Sequence, residues 1–147
     1  MAVLARVPDL EGSRARRLGG PVAVAATIGV ATLALHLRDP HEQGSWGFCP
    51  FKALTGWDCP LCGGLRAVND LGRGHLVDAA HSNLVLVASA PLVAALWLLW
   101  LRRSWTGSSP RRLPAGVVRA LVVAGAVVLV GFAVYRNTPW GSAWHVA

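Results

Sequence analysis

The sequence predicts an all-α integral membrane protein, with three transmembrane helices and a short interfacial helix in the loop between the first two. Three observations lead there. Hydrophobic residues make up 54% of the 147-residue chain and charged residues only 14%, against roughly a quarter in soluble domains. The charges are confined to short stretches, which leaves three apolar blocks, each close to the roughly 20 residues that span hydrocarbon. All three cysteines stand in the polar stretch between the first two blocks.

The net charge is +7, and Lys52 is the sole lysine. The arginines sit beside apolar blocks, not along one polar face, so the charge reads as membrane orientation and not as a nucleic-acid surface. The lipid bilayer is the first partner the chain implies, with a protein partner or a second copy within the membrane as further expectations.

Residues 1–18 form a basic segment with Arg6, Arg14, Arg16 and Arg17. The first span covers residues 19–37, with Pro21 expected in its first turn, where a missing N–H costs nothing. No small-x-small site closes this block, so it reads as a retained anchor and not as a cleaved signal. Residues 38–78 form the cysteine loop. Within it a short helix at about 61–72 places Leu61, Leu65, Val68 and Leu71 on one face, suited to the membrane surface. Trp46 and Trp57 flank it as headgroup anchors.

The second span covers residues 79–101 and contains Pro91, where a kink is expected. Trp97, Trp100 and Trp105 mark its far end. A basic loop at 102–114 carries Arg102, Arg103, Arg111 and Arg112. The third span covers residues 115–135, with Arg119 near enough to its start to reach the headgroups, and 136–147 is the tail. Small residues four apart, Ala25 and Gly29, then Ala120 and Ala124, allow close helix approach.

The arginine-rich segments fix the expected orientation in a cell membrane. The N-terminus and the loop at 102–114 lie in the cytoplasm, and the cysteine loop and tail lie outside.

The stretch from Cys49 carries the chemistry: C-P, then Gly56, then C-P-L-C-G and Arg66. Three readings compete. A metal site takes Cys49, Cys59 and Cys62 with a histidine as fourth ligand, from His41, His75 or His81 with His75 as the candidate; zinc or iron is the expected ion. A disulfide from Cys49 to Cys59 or Cys62 staples the loop and leaves one thiol over. A redox pair uses Cys59 and Cys62, with Cys59 near the positive end of a helix starting at Leu61. Arg66 offers a fork for an anion or partner, or pairs with Asp58 or Asp70. His75, Asp78 and His81 share one helix face, and Asn83 is placed to hydrogen-bond another helix.

The run Cys49-Pro50, Gly56, Cys59-Pro60-Leu61-Cys62-Gly63, Arg66-Ala67, Gly74-His75 and Ala79-Ala80 resembles a bacterial family of small membrane proteins known as domain of unknown function 2752. The resemblance covers roughly residues 48–86. It departs at Leu65, where the family often has threonine, and at Leu84, where the family often has proline after asparagine. It implies a polytopic membrane protein and supplies no reaction. With no nucleophile–base–orienter set in sight, the chain reads as a non-enzymatic membrane component whose loop is held by disulfide or metal and docks a partner. A membrane thiol-disulfide oxidoreductase and a metal-binding or sensing protein are the alternatives.

Overall fold

A computed structural model describes residues 13–42, 44–108 and 113–144. Arg6, Arg111, Arg112 and His145 lie outside the described residues. The described chain is all helical: α1 (Arg14–Leu37), α2 (Pro50–Thr55), α3 (Gly64–Gly72), α4 (Leu76–Thr106), α5 (Ala115–Arg136) and α6 (Pro139–Trp144).

Three of these, α1, α4 and α5, are long and apolar enough to cross a membrane. The shortest has 22 residues, or about 33 Å at 1.5 Å per residue, which matches the hydrocarbon thickness of about 30 Å. Only 11%, 0% and 6% of their most apolar windows are buried within the protein. Water could not solvate so much exposed valine and leucine, so lipid must cover it.

Helix α1 begins at Arg14 because Ser13 caps it, its hydroxyl accepting from the Arg16 amide at 3.3 Å. Pro21 therefore lies inside the helix and not in its first turn. It is fully buried, and its carbonyl accepts from the Trp97 indole at 3.2 Å. Beside it, a Cβ on Gly20 would come within 2.9 Å of the Trp100 ring. Arg17 Nε donates to the Ser104 carbonyl at 3.2 Å, and Arg14 lies 4.8 Å over the Trp105 ring. The three tryptophans therefore join α4 to α1 as well as marking its end. Gly29, the one glycine of the small-residue pairs, faces open space, as do the three glycines of α5.

The kink in α4 falls at Asn83, not at Pro91. Asn83 alone has non-helical backbone angles (φ −160°, ψ 97°), and the helix runs through Pro91. The reason is local bonding. Asn83 Oδ1 accepts from the Leu86 amide at 3.0 Å and restarts the helix, while its amide group turns to the cysteine loop.

Helix α3 starts at Gly64, three residues later than the sequence pattern suggests, because residues 59–63 form a turn. It lies between α1 and α4 with its polar side inward. Ala67, Asn69 and Asp70 are buried, and Leu61 and Leu65 are exposed. His36 of α1 meets Asn69 Oδ1 at 2.7 Å. Asp70 accepts from Ser82 of α4 at 3.2 Å and holds His41 at 2.9 Å. Short helices α2 and α6 have no counterpart in the sequence reading; each is six residues, too short for periodicity to register.

The close approach at Gly20 gives an expected outcome. Gly20→Val should destabilise the protein by about 1–3 kcal/mol, since the new side chain displaces the Trp100 ring. Gly29→Val, with nothing nearby, should leave stability within about 0.5 kcal/mol. Thermal unfolding in detergent micelles checks both.

Candidate metal centre

Cys49 precedes α2 as its N-cap residue, and Pro50 stands where a missing N–H is harmless. Gly56 ends α2 at φ 73°, returning the chain toward Cys59. Cys59 to Cys62 then form a tight turn, closed by the Cys62 amide on the Cys59 carbonyl at 3.1 Å. At Gly63 the φ is 75°, and a Cβ there would collide with the Ser82 carbonyl. Only glycine lets this turn press against α4.

The turn is clamped from two other helices. The Asn83 side-chain amide donates to the Pro60 carbonyl at 2.9 Å and the Cys62 carbonyl at 3.2 Å. Arg136, at the end of α5, donates to the Cys62 carbonyl at 2.7 Å and the Ser82 carbonyl at 3.4 Å. Asn137 accepts from the Asp58 amide at 2.9 Å and donates to the Asp58 carbonyl at 3.0 Å. Asn83 is 1% exposed and Arg136 3%, so these bonds form away from water, where an unpaired carbonyl would cost most.

The result is a cluster of three sulfurs within 4.8 Å of one another. Cys59 Sγ lies 3.5 Å from Cys49 Sγ and 3.1 Å from Cys62 Sγ. All three are free thiols, so the expected disulfide staple is absent. A tetrahedral ion about 2.3 Å from each sulfur sets them about 3.8 Å apart. The Cys49–Cys59 and Cys59–Cys62 separations need open by about 0.3 and about 0.7 Å to reach it.

The thiols are not equivalent. The backbone amide of Lys52, in the first turn of α2, faces Cys49 and holds its thiol below the ordinary value. Burial, then the neighbouring Cys59, pushes Cys62 up to about 12. Without a cation the cluster thus keeps its innermost proton. A divalent ion would supply the charge that lets the thiols ionise.

His75 does not join the sulfurs. It stands at the opposite end of α3, 3.9 Å from Asp78. His41 is taken by Asp70, and His81 stacks on Trp144 at 4.5 Å and meets its carbonyl. Among the described residues no fourth protein ligand completes the set. The start of α3 at Gly64 and not Leu61 also sets Cys59 farther along the chain from the helix's positive end than the redox reading expects. Arg66 is half-buried, and neither expected carboxylate reaches it: Asp58 holds Lys52 at 2.9 Å, and Asp70 holds His41 and Ser82. Arg66 instead lines a cavity of about 600 Å³ together with the three cysteines and Arg136.

Arg136 and Asn137 escaped the sequence reading because a charged residue at the end of a span looks like an ordinary headgroup anchor. The available signal was a polar pair, Arg-Asn, at the membrane edge on the cysteine side.

Residues 49–97 match the family model described as Protein of unknown function (DUF2752). No curated protein and no solved structure matches the chain.

Two outcomes are expected. Gly63→Ala should cost at least about 2 kcal/mol, from left-handed strain plus the clash with Ser82, whereas Gly64→Ala, meeting only Leu86 at ordinary distance, should not. Thermal melts of the two variants decide. Because Cys62 keeps its proton through the neutral range, ion binding must displace it. Apparent affinity for zinc should therefore rise by about tenfold per pH unit for each proton released between about pH 6 and 8, as read by competition with a chelator.

Proposed function

We propose that this chain, whose residues 49–97 match the DUF2752 family model of unknown function, is a metal-binding membrane protein. Its cysteine turn holds one ion through Cys49, Cys59 and Cys62 and presents an open fourth position to a partner or ligand. The convergence of three sulfurs from two separate segments within 4.8 Å carries this reading. Thiolates select zinc, copper(I) or iron, and zinc or iron suits a tetrahedral set best. The role is structural and recruiting: the ion ties α2 to the turn before α3.

The orientation that fits best puts this centre outside the cytoplasm. Arg17 touches Ser104, so the arginines flanking α1 and α4 gather at one end of the bundle. The cysteine turn lies at the other end, beside the C-terminus of α5. The positive-inside rule assigns the arginine end to the cytoplasm. In an oxidising compartment three adjacent thiols would cross-link, and a bound ion protects them.

Dithiol exchange by Cys59 and Cys62 is the rival reading, supported by their 3.1 Å separation. Against it stands the late start of α3, which leaves Cys59 without the helix N-terminus expected beside an attacking thiol. Element analysis of the full chain, purified anaerobically in mild detergent, separates the two. The metal reading expects one zinc or iron per chain, lost at least about tenfold in affinity in Cys49→Ser as in Cys59→Ser. Metal-free protein that forms a trapped mixed disulfide in Cys62→Ser would overturn it.

A further inference from the structure

The open position next to the three sulfurs has a charge problem that the chain solves in an unexpected way. A divalent ion with three thiolates carries one net negative charge. Arg136, buried and bonded to the Cys62 carbonyl, offsets it, and no carboxylate among the described residues pairs with that guanidinium. Its Nε has no hydrogen-bond partner. Arg66 is then a second cation on the same cavity, also without a carboxylate partner among the described residues. Lys52 lines this cavity too but is neutralised by Asp58.

Two arginines against a singly negative centre leave room for one more negative charge. Resting on the metal reading above, we propose that the cavity binds a small carboxylate, one oxygen completing the ion's tetrahedron and the other held by Arg66. A guanidinium fork fits a carboxylate in this way. Glu42 is the intramolecular competitor. It lines the same cavity from an exposed loop, but its oxygens do not fall within the sulfur cluster. A water in the fourth position would leave the Arg66 charge unanswered.

The test uses the full chain in detergent, loaded with cobalt(II). Thiolate-to-cobalt charge transfer in the near ultraviolet reports loading, and the visible bands of tetrahedral cobalt report the fourth ligand. Acetate is the probe. Its addition should shift the visible bands saturably while the charge-transfer band stays. Arg66→Gln should keep the charge-transfer band and bind acetate at least about tenfold more weakly, the loss expected for one charge-assisted hydrogen bond. Arg66→Lys should fall between the two. Loaded protein whose visible bands ignore acetate overturns the carboxylate site and leaves the metal centre standing. So does Glu42→Gln protein whose bands change before any acetate is added, since Glu42 is then the ligand. No cobalt loading at all overturns the metal reading and this one with it.

Discussion

The cysteine turn exists because its backbone carbonyls are satisfied from outside it. Residues 58–62 are neither helix nor sheet, so their polar groups have no ladder to join. At the rim of a bilayer, water is a poor substitute. Asn83, Arg136 and Asn137 supply the missing partners from the start of one span and the end of another. This single set of bonds fixes where Cys59 and Cys62 point and ties α5 to the rest of the protein. It also explains the break in α4: Asn83 cannot serve the turn with its side chain and continue the helix at the same time.

Helix α3 follows the same logic. In a soluble protein its leucines would face inward. Here Asn69 and Asp70 are buried against α1 and α4, and Leu65 faces out. Apolar side chains lose nothing by facing lipid, whereas a buried amide and carboxylate require partners. His36, His41 and Ser82 provide them, so polar bonding holds the hairpin of α3 and α4 to α1 where apolar burial would do so in water.

The thiols gain their character from this packing. Proximity alone would make three equivalent sulfurs. Backbone amides at the start of α2 favour the Cys49 thiolate, while burial against α4 and α5 holds Cys62 protonated. In the metal reading proposed above, a cation would resolve the conflict, and the two arginines around the cavity would set how much negative charge the loaded centre could carry.

Sequence by itself determined the solvent and the chemistry-bearing loop. Long runs of valine, alanine and leucine dictate spans whatever they touch, and the spacing of Cys59, Pro60, Cys62 and Gly63 dictates a tight turn. It also placed Asn83 as a bonding residue, though not its target. Tertiary structure alone decided the rest. Cys49 meets the turn only because α2 folds back through Gly56. His75 is excluded because α3 carries it to the opposite end, and Arg66 is left unpaired because His41 and Lys52 reach the carboxylates first. These outcomes depend on which groups compete for the same partner, whether near in the chain, as Lys52 and Asp58, or 29 residues apart, as His41 and Asp70. That competition is settled by distance in space, which residue order does not encode locally.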